Sequence, residues 1–573
     1  MVEPLSMQPM ITGRRHMVVA GHYLAAEAGQ AMLEAGGNAI DAGVAAGIAL
    51  GVLHSDQVQF SGVAPMLIYS AEHDEVVSIA GLGPWPRAAR LDLFVREHNG
   101  TIPLGLLRSI VPAAPDAWIT ALKLYGTMSF SDVAAPAIRY AREGFTMHPV
   151  MAHYIASYRD NYARWPSNAA IWLPGGEPPA VGDLFVQTEL ADTIQHMADE
   201  DRAAAAKGRE AGLEAARAAF YTGDIAAKIV SYHAENGGLL TAEDMAAFHS
   251  PVEKPLSIGF DGTTVYSCRP WCQGPVLLQM LQLLAGCDLA GLGHNSADYV
   301  HTLAEAMKLS LADRERFYGD PDVIEVPIET LLSADYAAAR RRQISPDRAW
   351  PDMPPAGEIA GYGGRSFAAH AESGPSGLVP DTSYACAIDK WGNVISATPS
   401  DVSFEGPAIP GLGLCPSSRG SQSFALEGHA SAVAPGKRPR LTPNPALAMR
   451  PGAFAMPFGA PGGDAQPAGM LQVLLNHLVF GMNIQHAIDA PRFVTHSHPN
   501  TFEPHASKPG RLAIEGRLCD VVGEELARRG HDVERLDDLS IFTAGVCAIS
   551  ADLAGGLLSG GADPRRAARA IGW

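Results

Sequence analysis

The sequence has few cysteines and no pattern that would pair them. Seven cysteines are spread over 573 residues, and such an odd, sparse set excludes a disulfide framework. Cys268 and Cys272 stand close together in SCRPWC, but no two further ligands follow at zinc-site spacing. We therefore expect buried free thiols, and we predict no metal and no cofactor.

A long apolar run is also missing. The most apolar segment, residues 39–53, is shorter than the roughly 20 residues that span a bilayer, and it carries Asp41. It predicts a buried helix. The first residues, MVEPLSMQPMITGRRHMVVAGHY, lack the basic start and apolar stretch of a secretory signal. These features predict a cytoplasmic location and no membrane partner.

Basic residues are the minority charge. The chain has 42 Lys and Arg against 61 Asp and Glu, a net charge of −19, which disfavours nucleic acid as a partner. The hydrophobic fraction of 47% is typical of a globular protein with a large core.

Two stretches predict helices. YLAAEAGQAMLEAGGNAIDAGVAAGIALGVL indicates two closely packed helices, broken at Gly36-Gly37, with Asn38 capping the second. SADYVHTLAEAMKLSLADRERFYGD indicates an amphipathic helix that begins after Ser296.

The middle of the chain changes character at Thr382. Residues 351–380 are rich in Pro, Gly and Ala and predict an irregular linker. Residues 384–388 and 394–398 then predict two paired strands around the turn DKWGN. PALAMRPGAFAMPFGAPGGDAQ is also strand-like and ends in Gly462-Gly463. Interleaved strands and helices indicate a mixed α/β or α+β class.

Seven segments carry a resemblance to a known family. They are AAEAGQAMLEAGGNAIDAGVAAGIAL, GGLLTAEDMAAF, LLQMLQLL, LAEAMKLSLADRERFYGDP, DTSYACAIDKWGNVISAT, GKRPRLTPNPAL and APGGDA. In this order they resemble the gamma-glutamyltransferase family of N-terminal-nucleophile hydrolases. The resemblance implies an α+β fold, a four-layer αββα sandwich.

The same resemblance implies an inactive precursor that cuts itself between Asp381 and Thr382. Residues 1–381 would become a large subunit and residues 382–573 a small one. The two would share one composite core and stay associated, with a dimer of this heterodimer as a further expectation.

The implied chemistry begins at Thr382, the nucleophile of an acyl-enzyme mechanism. Once Thr382 is a free N-terminus, its own α-amino group suits the role of general base, because the ordinary pKa of such a group is about 7.7–8.0. Gly462 and Gly463 match the oxyanion-hole glycines, and Ser400 matches a hydroxyl that orients the nucleophile. From the residues alone, Thr382 could instead start a strand, the glycines form a turn, and Ser400 lie on the surface.

The residues that hold a gamma-glutamyl group in the family are altered here. The position of the substrate arginine falls near Leu82, and the acidic stretch matches PSSRGSQSF, which has no acid. Of the paired hydroxyl positions, Leu441 and Thr442, only Thr442 keeps a hydroxyl. Unpaired charges of a bound zwitterion would cost several kcal/mol. The candidate substrate-binding residues are therefore Arg87, Arg419, Arg440 and Thr442.

Three functions remain open at this point. We predict a self-processing amidohydrolase that cleaves a small amide with a non-glutamyl acyl group, with water or an amine as acceptor. The alternatives are an ordinary gamma-glutamyl hydrolase or transferase acting on glutathione-like donors, and an inactive binding relative. THSHPNTFEPH offers metal-ligand types, but its spacing is irregular, and we expect a solvated loop there.

Overall fold

The computed structural model describes residues 6–368, 371–372 and 381–573. Its strands are β1 (Ile11–Gly13), β2 (Met17–Ala20), β3 (Met66–Ser70), β4 (Glu75–Ile79), β5 (Phe145–Thr146), β6 (Leu184–Phe185), β7 (Val252–Glu253), β8 (Leu256–Phe260), β9 (Thr263–Ser267), β10 (Ala385–Ile388), β11 (Val394–Ala397), β12 (Ala446–Arg450), β13 (Phe454–Gly459), β14 (Phe493–Thr495), β15 (Arg511–Glu515), β16 (Asp532–Leu536), β17 (Cys547–Asp552), β18 (Leu557–Gly561) and β19 (Arg569–Gly572).

The helices of the same residues are α1 (Tyr23–Glu34), α2 (Ala39–Leu53), α3 (Leu91–Glu97), α4 (Ala114–Tyr125), α5 (Phe130–Glu143), α6 (Pro149–Ser157), α7 (Arg159–Tyr162), α8 (Pro166–Trp172), α9 (Thr188–Ala204), α10 (Arg209–Tyr221), α11 (Asp224–Glu235), α12 (Ala242–Ala247), α13 (Gly274–Leu284), α14 (Leu289–Leu292), α15 (Ala297–Phe317), α16 (Ile328–Leu331), α17 (Ala334–Arg341), α18 (Gln466–Leu478), α19 (Ile484–Asp489) and α20 (Gly516–Arg528). Within the described ranges, none of these helices is long and apolar enough to cross a membrane.

Two seven-stranded antiparallel sheets form the centre. One has the order β1-β18-β17-β13-β12-β9-β8 and the other β19-β2-β10-β11-β3-β4-β7. Each sheet contains strands from before and after Thr382, and β10 lies between β2 and β11. The segments on either side of the predicted cut therefore contribute to the same two sheets.

Side chains alternate between two cores along these strands. In β10, Ala385 and Ala387 pack against the helix layer that contains α1 and α2. Cys386 and Ile388 face the other sheet, in the core between the two sheets. The sheet that contains β12 and β13 packs against α13, α15 and α18 on the face turned away from this central core. Period-two alternation thus builds the helix–sheet–sheet–helix layering, and the predicted αββα sandwich is confirmed.

The small-residue helices pack as their composition predicts. α1 ends before Gly36, which has φ 97°, and Asn38 caps α2 in a capping box with Asp41. Every residue of α2 is buried. A Cβ on Gly43 would lie 2.4 Å from Cγ2 of Ile395 in β11, so glycine lets this helix approach the sheet closely.

The predicted irregular linker is confirmed for residues 351–368. Residues 351–368 contain no helix or strand. Residues 369–370 and 373–380, which belong to the same predicted linker, lie outside the described residues.

Candidate active site

Thr382 lies just before β10, where the chain enters the sheet. The residue is 1% exposed, and its backbone N–H donates to the Gln57 carbonyl at 3.0 Å. Its φ is 78°, a left-handed conformation that is unfavourable for a β-branched residue. Such a conformation costs about 1–3 kcal/mol, so the peptide bond between Asp381 and Thr382 adjoins a strained residue.

The hydroxyl of Thr382 lies among polar side chains. Its Oγ1 is 2.7 Å from Oγ of Ser400, and Nε2 of Gln466 donates to it at 3.3 Å. Ser400 follows β11, is buried, and is held by backbone hydrogen bonds to Val63. Nη2 of Arg419 donates to Oγ of Ser400 at 2.5 Å. A cation and two hydroxyls thus form one chain of hydrogen bonds that ends at Thr382.

Asp381 places a carboxylate beside this group. Its Oδ1 accepts the Gly463 N–H at 2.9 Å, and Oδ2 accepts the Thr442 hydroxyl at 3.2 Å. Nη2 of Arg419 lies 3.3 Å from Oδ2. The carboxylate is fully buried, and burial raises its pKa, although Arg419 and hydrogen bonds from Thr382, Thr442 and Gly463 oppose the rise.

The two glycines of the PGG turn both have positive φ, 129° at Gly462 and 54° at Gly463. A Cβ on Gly462 would lie 3.0 Å from Cα of Ala544. The Gly463 carbonyl accepts from Nε2 of Gln273 at 2.8 Å, and Gln273 in turn accepts from Arg314. Gln273 and Arg314 therefore fix the position of the turn. The Gly463 N–H donates to a carboxylate, so it is placed to bind an anion.

The predicted substrate-binding residues divide into two sets. Arg419 and Thr442 reach the carboxylate of Asp381. Arg440 is buried but pairs with Glu315 at 3.0 Å. Arg87 is exposed and lines a separate cavity of about 450 Å³ with Asp244 and Arg438. Arg87 and Arg440 thus have no described contact with Thr382 or Asp381.

Two side chains at the site carry no recognisable sequence signal. Gln466 begins α18, three residues after Gly463, and touches Thr382 only because the PGG turn folds back. Arg566 lines a small cavity with Thr382 and Gly545. Its Nε and Nη1 are buried and have no hydrogen-bond partner among the described residues. A guanidinium in this state beside a hydroxyl has the chemistry to receive an anion.

Ser383 and a group of histidines lie behind Thr382. Nδ1 of His54 is 3.2 Å from Oγ of Ser383, and the rings of His22 and His148 pack around His54. Burial, and then the neighbouring His148 and His22, holds the pKa of His54 well below its ordinary value. His54 is therefore neutral near pH 7.

The histidines of THSHPNTFEPH do not converge on one point. Nε2 of His498 lies 3.7 Å from Asp464, whereas His505 lies 3.5 Å from Glu503. The expectation of a solvated loop is wrong here, because His498 and His505 are both buried. The segment packs against the body of the protein, which its polar composition did not indicate.

A separate group of His301, Glu305 and His531 has ligand atoms within 4.8 Å of one another. Lys308 donates to Glu305 at 2.8 Å. Glu305 therefore already has a cationic partner, and Nδ1 of His301 lies 2.9 Å from Nε2 of His531, so the two rings hydrogen-bond to each other.

The comparisons with known proteins point to one family. A sequence model of the gamma-glutamyltranspeptidase family matches residues 25–573. The chain is 33% identical to the glutathione hydrolase-like YwrD proenzyme of Bacillus subtilis, over 99% of this chain and 100% of that one. It is 31% identical to the acylase ACY 1 proenzyme of Pseudomonas sp. strain V22, over 91% and 88%.

A solved structure matches across the whole length. The cephalosporin acylase from Bacillus halodurans superposes with a TM-score of 0.85 at 28% identity, covering 100% of this chain and 99% of that one. The chain therefore belongs to the gamma-glutamyltranspeptidase family of N-terminal-nucleophile hydrolases and is a self-processing amidohydrolase of that family.

Proposed function

We propose that the chain cuts itself between Asp381 and Thr382 and then cleaves small amides through an acyl-enzyme on Thr382, with an acyl group that carries a carboxylate and no α-amino group. The observation that carries this proposal is the carboxylate of Asp381, held by Arg419, Thr442 and the Gly463 N–H. These groups form a binding place for a carboxylate next to the Thr382 hydroxyl.

Turnover follows from the atoms around Thr382. After the cut, the α-amine of Thr382 takes the proton of Oγ1, directly or through a water. Oγ1 attacks the amide carbonyl, and the N–H groups of the Gly462–Gly463 turn stabilise the developing oxyanion. Ser400 and Gln466 hold Oγ1 in place. The amine leaves, and water or a second amine releases the acyl group.

The anionic end of the acyl group would bind where Asp381 binds in the uncut chain. Cutting makes Asp381 a chain end. When it moves away, Arg419 and Thr442 become free for the anionic end of the acyl group, and the Gly463 N–H becomes free for the oxyanion. A carboxylate and a guanidinium form a charge-assisted pair, one of the strong hydrogen bonds available to a protein. Thr442 adds a hydroxyl, so recognition of an anion does not require the missing arginine near Leu82.

The α-ammonium of a gamma-glutamyl donor would lack a partner. Among the described residues near Arg419, Asp401 is the remaining carboxylate, and it already accepts from Ser417, Ser418 and the Val402 N–H. An unpaired buried ammonium costs about 2–3 kcal/mol. That loss corresponds to a thirtyfold to hundredfold weaker interaction.

The names of the relatives support an amidase with a changed acyl group. One relative is called an acylase and another a cephalosporin acylase. A third is called glutathione hydrolase-like, and its 33% identity keeps gamma-glutamyl hydrolysis as the second candidate. Both candidates use Thr382, and they differ in whether the α-amino group of the substrate helps or hinders.

The two segments are proposed to remain one particle after the cut, because both sheets contain strands from each. The enzyme would then be a heterodimer that acts on a small-molecule amide. The dimer of heterodimers stays a prediction.

Three p-nitroanilides test the acyl group with matched changes. Glutaryl-p-nitroanilide differs from the gamma-glutamyl compound only in lacking the α-amino group, and butyryl-p-nitroanilide also lacks the carboxylate. We expect kcat/KM to be highest for the glutaryl compound, by at least about thirtyfold over either of the others. A higher kcat/KM for the gamma-glutamyl compound would instead support the second candidate.

A further inference from the structure

The self-cutting step needs a proton acceptor that differs from the one used in turnover. In the uncut chain the nitrogen of Thr382 belongs to a peptide bond, whose lone pair is delocalised. Its N–H also donates to the Gln57 carbonyl at 3.0 Å. The α-amine does not exist until the bond is broken. Some other group must take the proton from Oγ1 when the bond is attacked.

The neutral neighbours of Thr382 are poor candidates. Gln466 uses its Nε2–H to donate to Oγ1, and an amide is not a base near pH 7. Ser400 accepts from Arg419, which makes its oxygen less basic. Asp401 also carries a carboxyl group, but its oxygens bind Ser417, Ser418 and the Val402 N–H, with no described contact to Thr382.

Asp381 can take a proton, and it lies beside the Thr382 hydroxyl. It is the residue whose carbonyl is attacked, and Nη2 of Arg419 contacts both its Oδ2 and Oγ of Ser400, which lies 2.7 Å from Oγ1 of Thr382. The Thr382 hydroxyl is among the groups that act on the pKa of this carboxyl. Arg419, Thr442 and the Gly463 N–H fix that carboxylate in place. Burial raises its pKa, which brings it closer to the range of an effective general base. Tyr154 is a further titratable group that interacts with this carboxylate.

We propose that the side-chain carboxylate of Asp381 is the general base of the self-cutting step. This inference rests on the proposed function, because it assumes that Oγ1 of Thr382 is the nucleophile. The carboxylate takes the proton of Oγ1, and Oγ1 forms a bond to the carbonyl carbon of Asp381. The bond from that carbon to the Thr382 nitrogen breaks, and the proton passes from the carboxyl group to this nitrogen.

The product is an ester between Asp381 and Oγ1 of Thr382, with a free α-amine. Water then adds to the ester carbon. The Thr382 hydroxyl leaves with one proton of the water, and Asp381 gains an α-carboxylate. The base is used once, and its departure frees the carboxylate-binding groups for substrate. One carboxylate thus blocks the site before the cut and opens it afterwards.

Three variants made by cell-free translation test this role, with cutting followed over time on denaturing gels. Asp381→Asn keeps the shape but cannot take a proton, and we expect cutting at least about a hundredfold slower. Asp381→Glu keeps the carboxylate, and cutting should stay within about tenfold of wild type. Asp381→Ala should be slow and should be accelerated by added formate, which a merely positioning side chain would not explain.

Two controls make every outcome decisive. Wild type and Asp381→Glu should cut faster as the pH rises through the carboxylate titration, whereas Asp381→Asn should not respond in that range. Cutting of Asp381→Asn at a rate within a few-fold of wild type would overturn the inference, as would failure of both Asp381→Glu and formate rescue. Thr382→Ala separates the two proposals, because continued cutting in that variant removes the proposed function itself.

Discussion

At the scale of single residues, the proposed mechanism makes the hydroxyl of Thr382 essential for both cutting and turnover. We expect Thr382→Ala to remain one soluble, inactive chain, because it loses Oγ1 but keeps the buried position. Thr382→Ser should cut slowly, because it keeps the hydroxyl and loses the methyl group that restricts its rotamer. Denaturing gels and intact-mass measurement check both variants. Cutting of the alanine variant after Asp381 would show that another group acts.

Arg419 is the residue on which carboxylate recognition depends in this proposal. Arg419→Met should lower kcat/KM for glutaryl-p-nitroanilide about thirtyfold to a hundredfold more than for butyryl-p-nitroanilide. The comparison of two substrates removes the shared effect of its contact with Ser400.

Arg87→Met is the matched control for this change. Arg87 lies in a separate cavity, so we expect the ratio of the two kcat/KM values to stay at the wild-type value. If the ratio changed for Arg87→Met and stayed constant for Arg419→Met, Arg87 and not Arg419 would be the residue that binds the carboxylate.

At the scale of elements, α2 depends on glycine where it crosses the sheet. A Cβ on Gly43 would meet Ile395 at 2.4 Å, whereas one on Gly51 would meet Phe60 at 3.4 Å, an ordinary contact distance. Gly43→Ala should therefore destabilise the protein by about 1–3 kcal/mol. For a chain of 573 residues, this is a loss of about 1 °C in the midpoint of thermal unfolding for each kcal/mol.

Gly51→Ala is the control in the same helix. Alanine gains up to about 1 kcal/mol over glycine in a helix, so its midpoint should be equal to or above that of wild type. Equal effects of the two substitutions would mean that packing against β11 does not limit this helix.

Elements with a strong local pattern were predictable from the sequence. Asn38 and Ser296 both cap the helices that were expected to follow them. The strands around DKWGN pair in antiparallel register, from Ala385 with Ala397 to Ile388 with Val394. Capping residues, the apolar period of a helix and turn residues lie within a few positions of each other. These signals can therefore be recognised in the sequence without knowledge of the tertiary structure.

At the scale of the whole molecule, the cut should leave one particle. Apart from the edge strand β19, the strands of residues 382–573 lie between strands of the preceding segment in both sheets. We expect two fragments that elute together from a sizing column and separate only in denaturant. Edman sequencing of the small fragment should begin Thr-Ser-Tyr. Elution of free fragments, or any other first residue, would contradict the predicted boundary.

Buried histidines predict a loss of stability in mild acid. Burial lowers the pKa of these side chains to about 3 or 4 in the folded protein, and the group comprises His22, His148, His233, His496, His505 and His531. In the unfolded chain their pKa is about 6.5. The unfolded state thus binds more protons between these values, so stability falls as the pH drops below about 6.5.

Each such histidine costs up to about 1.4 kcal/mol per pH unit in that range. Buried carboxyl groups oppose them, because burial raises the pKa of Asp56 to about 6 and also raises that of Asp313, Asp381, Asp401, Asp489 and Glu503. The histidines outnumber these groups, because burial also lowers the pKa of His16, His54, His294, His301, His429, His477 and His498. We expect the midpoint of thermal unfolding to fall steadily from about pH 7 to about pH 5. A midpoint that is constant over this range would contradict burial of neutral histidines.

The sequence by itself determined the sandwich class and the paired strands that follow Thr382, and it predicts the nucleophile and the place of the cut. It did so because each depends on a short motif or on the ordered set of motifs. The tertiary structure decided which arginine reaches the site. Arg87, Arg419 and Arg440 look alike as candidates, and only folding brings Arg419 within 3.3 Å of Asp381 and pairs Arg440 with Glu315.

The same reason explains the contacts that the sequence did not reveal. Asp381, Arg419, Thr442, Gly463 and Gln466 come from four separate parts of the chain and meet only where the two sheets and the PGG turn converge. No local period or spacing encodes such contacts. Burial then gives the Asp381 carboxylate its partners and its raised pKa, properties that a residue before a predicted cut does not have in the sequence alone.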